Sequence, residues 1–335
     1  MSFRVIRAGQ LTTVQDLGRQ GAQRWGVSVS GAIDPVALRL ANWLVGNSES
    51  AAALEITWVG PDLLFESDAL VAYCGAECVA HVAGQPVPRG CPLWIRAGER
   101  LSMGSVHRGA RTVLAIAGGI DVPPVLGSRS THVRSRLGGF HGRRLMGGDH
   151  LTVGELSEDS TRYMTLLQSR VGTSSFLRAN WSLHEPEGPP VPLRVLRVIR
   201  GAHWDQLSPR AQQTFRESSL TVSSQSDRTG IRLEGIKLTL VEDSDRFSEA
   251  VVCGTIQLPP GGQPILLLAD CAPTGGYARI AHLIAADQPL VAQLRPGETV
   301  QFEVVTMDVA REQLRQQAAE LHRLRLMIRL KQETS

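Results

Sequence analysis

Short apolar stretches punctuated by glycine, proline and aspartate dominate the chain. They fall at 53–57, 63–65, 70–73, 93–95 and 112–117, and again at 193–199, 220–223, 237–240, 265–268 and 300–305. Turns such as Gly60-Pro61-Asp62 and Ala97-Gly98-Glu99 separate them. Runs this short and this closely spaced predict an antiparallel barrel or sandwich, not a doubly wound parallel sheet. Residues 1–14 read as a strand leading into a polar loop. Helical signals are few. Asp34 is a good N-cap, Pro35 suits the first helical position, Ile33 and Leu38 have staple spacing, and Gly46 is a C-terminal stop. The helix between them is short and mostly apolar, so it is expected to be buried. Ser208-Pro209 opens a second helix through Phe215. Asp308 is expected to cap a final helix with Leu314, Ala318, Leu321, Leu324 and Ile328 on one stripe. Residues 132–150, rich in Arg, Gly and His, read as a long loop, a place where function concentrates.

Glu185-Pro186-Glu187-Gly188-Pro189-Pro190 is the best linker candidate. The halves on either side echo each other faintly. Leu54-Glu55 and Gly84-Gln85-Pro86 recur as Leu233-Glu234 and Gly262-Gln263-Pro264, displaced by about 180 residues. The pattern therefore predicts two related β-rich domains, at 1–188 and 189–307, with a C-terminal helix and tail at 308–335.

The chain has 335 residues and 42% apolar content, enough for two domains with real cores. A net charge of +3 is too small to argue for nucleic acid or an anionic membrane. Five cysteines, Cys74, Cys78, Cys91, Cys253 and Cys271, are an odd number with no regular framework. Cys74 and Cys78 have no matching ligand pair downstream, and the histidines lack ligand spacing, so no metal is expected. No signal peptide and no membrane-length apolar run is visible, which predicts a soluble, cytoplasmic protein. Phosphate loop, dinucleotide fingerprint, nucleophile elbow and zinc-protease motif are all missing, as is a biotin-attachment lysine.

Polar residues at turns remain. Gln15, Asp16, Arg19 and Ser30 sit among Gly18, Gly21, Gly26 and Gly31. Either this is a tight loop before a capped helix, or the glycines let backbone approach a ligand. Arg129, in Ser128-Arg129-Ser130-Thr131, offers a planar fork for carboxylate or phosphate, or a surface salt bridge. Asp227 suits a general base or orienting carboxylate and Arg228 an oxyanion partner. The alternative is an Asx-turn with a solvated arginine. Gln257, Asp270 and Tyr277 flank a core strand and a Gly-Gly turn, where edge-of-sheet hydrogen bonding is the other reading.

Four blocks carry a more specific signal. The first is Leu11-Thr12-Thr13-Val14-Gln15-Asp16-Leu17-Gly18-Arg19, with Ser30-Gly31-Ala32-Ile33-Asp34-Pro35 and Ala41-Asn42-Trp43-Leu44-Val45-Gly46-Asn47. The second runs from Ala117-Gly118-Gly119-Ile120-Asp121 to Ser128-Arg129-Ser130-Thr131. The third is Ser226-Asp227-Arg228-Thr229-Gly230-Ile231. The fourth comprises Gly254-Thr255-Ile256-Gln257, Gly262-Gln263-Pro264, Asp270 and Thr274-Gly275-Gly276-Tyr277. In this order they resemble the biotin-dependent carboxyltransferase-like family, also called the allophanate hydrolase subunit 2 family, and most nearly its branch of 5-oxoprolinase C-type chains.

The resemblance implies a mainly β fold of two cyclophilin-like β-barrel domains with the ligand cleft between them. It implies one component of an ATP-dependent amidohydrolase that opens 5-oxoproline to glutamate. ATP would enter at the level of the complex, with a small B-type 5-oxoprolinase partner and an A-type partner. Two alternatives stand beside it. One is a carboxyltransferase-type subunit for urea or a similar amide, with carboxybiotin carried by a partner. The other is a non-catalytic regulatory subunit that antagonises a kinase inhibitor. The resemblance assigns Asp227, Arg228, Arg129 and Asp16 to catalysis, and Gln15, Arg19, Ser128, Ser130, Gln257 and Tyr277 to substrate binding. One departure is visible. Cys271-Ala272-Pro273-Thr274 stands where the family usually has a polar pair followed by two threonines, which puts specificity in question there.

Overall fold

A computed structural model describes residues 1–183, 193–241 and 246–334. The linker candidate at 185–190 lies outside the described residues. The chain forms two units that are discontinuous in sequence. Unit 1 comprises Met1–Arg19, Ser30–Pro186 and Leu321–Ser335; unit 2 comprises Gln20–Val29 and Glu187–Glu320.

Unit 1 begins with β1 (Ser2–Arg7) and β2 (Leu11–Gln15), followed by α1 (Pro35–Leu44). Then come β3 (Ala53–Thr57), β4 (Asp62–Phe65), β5 (Ala69–Val82), β6 (Gln85–Val87), β7 (Leu93–Ile95) and β8 (Arg100–Ile116). β9 (His150–Thr152), α2 (Glu158–Val171) and β10 (Phe176–Arg178) complete it. The strands form one ten-stranded sheet with the path β10-β7-β5-β8-β4-β1-β9; β3 also joins β8, β2 joins β3, and β6 joins β5. The long strands β5 and β8 carry it, and their register shifts where they bend between Gly75 and Ala80. Successive side chains on β5 enter different cores, as a period of two requires. Val71 and Tyr73 pack with Phe3, Leu63 and Leu114. Leu70, Ala72 and Cys74 pack beneath α1 against Leu38, Ala41 and Leu44.

α1 starts and stops where its caps say it should. Asp34 Oδ1 accepts from Ala37 N at 2.9 Å. Ile33 and Leu38 are fully buried, as the two staple positions require. Glu55 Oε2 accepts from Ile33 N at 2.7 Å, fixing the residue just before the cap. Gly46, at φ +75°, ends the helix and donates to Trp43 O at 3.0 Å. By contrast, α2 is not legible in the sequence. It is mostly polar, and Ser160, Tyr163, Leu167 and Val171 bury one narrow stripe behind the Ser157 cap.

Unit 2 runs β11 (Leu193–Arg200), α3 (Pro209–Glu217), β12 (Leu220–Val222), β13 (Gly230–Glu234), β14 (Glu249–Ala250) and β15 (Thr255–Leu258). It continues through β16 (Ile265–Leu267), β17 (Thr274–Gly275), β18 (Ala278–Leu283), α4 (Gln288–Ala292) and β19 (Thr299–Val304). The last helix, α5 (Met307–Thr334), begins in unit 2 and belongs to unit 1 from Leu321. Seven strands close a barrel in the order β11-β18-β15-β16-β13-β12-β19, and β14 with β17 makes a separate two-stranded ribbon. A parallel pairing of β11 with β19, from Leu193↔Thr299 to Val198↔Val304, closes the barrel. Leu196, Val198, Ile231, Ile256, Ile280 and Phe302 are at most 3% exposed. Phe215 of α3 stacks on Phe302, centroids 4.8 Å apart, and Trp204 meets Phe215 edge-on at 5.6 Å.

The mainly β reading with few helices therefore holds. Two local expectations do not. No strand forms at 237–240; only Leu240 makes an isolated bridge to Leu207. Both edges of β13 are already taken, by β12 and β16, so the alternating segment has no ladder to join. Instead Leu238 N donates to Gly262 O at 2.9 Å and supports a turn. The last helix is capped by Thr306, whose Oγ1 accepts from Val309 N at 3.4 Å, and Asp308 lies in its first turn. Its stripe is only partly used. Ile328 is buried in unit 1, where Gln332 Nε2 donates to Trp43 O and Leu44 O at 3.0 Å, while Leu314 stays exposed. No helix among the described residues is long and apolar enough to cross a membrane.

Candidate functional site

In unit 1 the loop Ser128-Arg129-Ser130-Thr131 is held from below by the end of β2 and the residues after it. Thr131 N and Oγ1 both donate to Val14 O at 2.9 Å. Gln15, fully buried, donates from Nε2 to Thr131 O at 3.0 Å. Arg19, also fully buried, donates to Ser130 O. Asp16 is the hub. Its carboxylate accepts from Ser128 Oγ at 2.6 Å, Arg129 N at 2.6 Å, Gly18 N at 2.8 Å and Ser130 Oγ. Thus six of the sequence-predicted residues share one neighbourhood. Five of them, Gln15, Asp16, Arg19, Ser128 and Ser130, are buried and make side-chain hydrogen bonds that build the loop.

Arg129 is the exception. Its main chain is fixed by Asp16, and its Nε donates to Val122 O at 2.8 Å, which sets the plane of the guanidinium. The side chain lines a cleft of about 810 Å³ shared with Ser48, Ser50, Gly118, Gly119, Asp121 and Glu155. The cleft wall is also built, not incidental. Asn47 Oδ1 accepts from Gly118 N at 2.8 Å, and its Nδ2 donates to Ile116 O at 2.9 Å. Gly118 has φ +91°, and a Cβ there would meet Gly154 O at 2.4 Å, so only glycine fits. Chemically, this wall presents one oriented cation, two hydroxyls and two carboxylates. That set can hold an anionic oxygen and accept N–H groups.

Removing the hub has a calculable consequence. Asp16→Ala leaves the Ser128 and Ser130 hydroxyls and the Arg129 and Gly18 N–H groups without their acceptor. Buried donors stripped of a charged partner cost about 1–3 kcal/mol each, partly recovered by water. Equilibrium unfolding is expected to show a loss of roughly 3 kcal/mol. A loss under about 1 kcal/mol contradicts the hub assignment.

In unit 2 Arg228 and Asp270 form a two-pronged ion pair. Nε reaches Oδ2 at 2.9 Å and Nη2 reaches Oδ1 at 3.1 Å, with side chains 7% and 8% exposed. The backbone joins them too, since Asp270 N donates to Arg228 O at 3.0 Å. Asp227 is exposed and closes an Asx-turn, its Oδ1 accepting from Thr229 N at 2.7 Å and Gly230 N at 3.3 Å. At the departure from the family pattern, Cys271 is buried against Val251 and Leu267. Burial pushes its thiol up to about 11, so it serves as a small apolar residue there, not a nucleophile. Gln257 and Tyr277 occupy a different neighbourhood. Gln257 is 5% exposed and lies against Gly275, whereas Tyr277 is 47% exposed. His203, Glu249 and Arg279 meet beside them. Their positions at 203, 249 and 279 carry no sequence spacing that announces the cluster; barrel topology alone brings them together.

With this geometry in place, comparison with known proteins decides the family. Residues 25–304 match the carboxyltransferase domain, subdomain A and B. The chain belongs to the carboxyltransferase domain family. Within it, the chain is 38% identical over 308 residues to the C-type 5-oxoprolinase chain of Escherichia coli (strain K12), covering 92% of this chain and 93% of that one. It is 34% identical over 317 residues to the C-type 5-oxoprolinase chain of Haemophilus influenzae, covering 94% and 95%. Among solved structures it is similar to the K. lactis urea amidolyase, with a TM-score of 0.85 and 30% identity. That match covers 96% of this chain but only 20% of the larger protein. The family match at 25–304 thus takes in Arg129 and the Arg228–Asp270 pair, while Asp16 lies before it.

Proposed function

We propose that this chain is the C-type component of an ATP-dependent 5-oxoprolinase, acting on a cyclic amide together with partner subunits. Supporting the reading is the extent of similarity to the two bacterial 5-oxoprolinase chains, nearly end to end on both sides. The observation that carries it chemically is Arg129, fixed by Asp16 and Val122 and facing a cleft.

A lactam carbonyl is a weak electrophile, so opening it against amide resonance needs coupling to ATP. Phosphoryl transfer to the lactam oxygen turns it into a leaving group. Water then adds at that carbon, the C–N bond breaks with nitrogen taking a proton, and a second water displaces phosphate from the resulting acyl phosphate to leave the carboxylate. Each stage places negative charge on oxygen, and a preorganised guanidinium stabilises such charge without reorganising. We assign that part to Arg129. Asp227 is proposed as the exposed carboxylate available for proton transfer, since its turn occupies Oδ1 alone in the hydrogen bonds described. Arg228, neutralised by Asp270, shapes its surroundings and does not serve as a free cation. Asp16, Ser128 and Ser130 position Arg129. ATP is held at the level of the complex, with B-type and A-type chains as partners.

The test is substrate dependence in the purified complex. ATP hydrolysis is expected to rise with 5-oxoproline and to yield glutamate. Turnover of urea with carboxybiotin, and none with 5-oxoproline plus ATP, would instead favour the carboxyltransferase reading suggested by similarity to the urea amidolyase.

A further inference from the structure

The ribbon β14–β17 covers a polar cluster in unit 2 that the loop chemistry above leaves unused. Glu249 pairs with Gly275 across the ribbon, and Ala250 with Thr274. Beneath Gly275 lies the amide of Gln257; a Cβ on residue 275 would sit 2.5 Å from Gln257 Nε2. Gln257 in turn is the register partner of Arg279 across β15 and β18, so the two side chains leave the same face of the barrel wall. Arg279 closes the ring, donating from Nη2 to Glu249 Oε2 at 2.6 Å and from Nη1 to Ala250 O at 3.2 Å.

Two features of this ring point to a ligand. First, Gln257 is 5% exposed, yet its Nε2 has no hydrogen-bond partner among the described residues; Arg279 Nε is a second buried N–H in the same condition. Buried amide donors are almost always satisfied, and each one left unmade costs about 1–3 kcal/mol. Second, among the described residues Glu249 is clamped on one oxygen only. Arg279 takes Oε2, and His203 Nε2 faces the same oxygen at 3.6 Å. His203 cannot turn its other nitrogen to this task. Its Nδ1 accepts from Arg279 N at 3.0 Å, which places the imidazole proton on Nε2. Burial, with the nearby Arg246 and Arg279 outweighing Glu249, holds His203 below its ordinary range and keeps it neutral. Glu249 Oε1 is left presented on a side chain 46% exposed.

We propose that this ribbon covers an amide-recognition site, in which Gln257 Nε2–H donates to a lactam carbonyl oxygen and Glu249 Oε1 accepts the lactam N–H. The inference rests on the proposed cyclic-amide chemistry and names the residues that read the amide. A donor and an acceptor at one site complement the carbonyl and the N–H of an amide. Glu249 is thus a specificity residue, and His203 with Arg279 are positioning residues for it. Glycine at 275 is required because any side chain would press on the Gln257 amide.

Binding to the isolated chain, followed by NMR titration, tests the site independently of turnover in the complex. The probes are 2-pyrrolidinone, a neutral lactam, and N-methyl-2-pyrrolidinone, which keeps the carbonyl but lacks the N–H. The lactam is expected to bind and to shift the resonances of Gln257 and Gly275. The N-methyl probe is expected to bind about tenfold more weakly or not at all. Gln257→Met, close in volume, and Glu249→Ala, at an exposed position, should each weaken lactam binding by about tenfold or more with an unchanged fold. Failure of the wild-type chain to bind 2-pyrrolidinone, equal binding of the N-methyl probe, or wild-type binding by Gln257→Met each overturns the proposal. A complex that turns over 5-oxoproline normally with Gln257→Met would sink this inference while leaving the proposed function standing.

Discussion

Arg129→Ala is expected to lower 5-oxoproline turnover in the reconstituted complex by at least about 100-fold, the usual cost of removing one preorganised donor from developing negative charge. The same change should leave the fold nearly intact. Among the described residues, the side chain contributes only Nε to Val122 O to the loop's hydrogen bonds, a contact to a neutral carbonyl worth about 1 kcal/mol. The main-chain N–H that Asp16 holds is kept by alanine. Activity and stability therefore separate at this residue, and parallel measurement of kcat and thermal unfolding shows whether they do. Full activity in an Arg129→Ala complex ends the assignment. A large fall in stability would mean that the guanidinium belongs to the architecture, as Arg19 does.

At Asp270 the expected effect falls on stability. Asp270→Ala strands a guanidinium that is 7% exposed and was bonded through two nitrogens. Breaking a buried pair from one side costs about 3–5 kcal/mol, because the remaining charge has lost its compensation. Replacing both partners with apolar residues of similar volume, as in Arg228→Met with Asp270→Leu, should recover much of that loss. Urea unfolding of the three variants measures the cycle. Additive losses, with the double variant weaker than either single one, would contradict a mutually dependent pair.

What the sequence could and could not announce follows from how local each signal is. α1 is written in residues that touch each other along the chain, Ile33, Asp34, Pro35, Leu38 and Gly46, and each does what its position suggests. α2 buries only a narrow stripe, so its pattern is too dilute to stand out. The segment 237–240 has the right alternation for a strand but no free edge beside it, a fact that only the closed barrel contains. The candidate site divides in the same way. Charge among glycines drew attention to the Asp16 and Arg129 loops, which the structure joins by hydrogen bonds. It could not separate Asp16, whose carboxylate is consumed by four donors, from Arg129, whose guanidinium faces a cleft. For Arg228 the open alternatives were an oxyanion partner and a solvated arginine. The structure shows neither in isolation, since Asp270, 42 residues away, takes both prongs. Asp227 does make the Asx-turn, alongside which its proton-transfer role is a proposal. The ring of His203, Glu249, Gln257 and Arg279 had no local signature, because a register and a ribbon assemble it.

Whether this chain is needed for lactam opening is read directly by an omission assay on the purified components. Glutamate formation from 5-oxoproline and ATP is followed with every component present, with this chain left out, and with it added back. The expected result is no glutamate without this chain, recovery on adding it, and no ATP hydrolysis by the chain alone, which carries no phosphate loop. Glutamate formation at an unchanged rate in its absence, or 5-oxoproline-dependent ATP hydrolysis by the isolated chain, would contradict the proposed function.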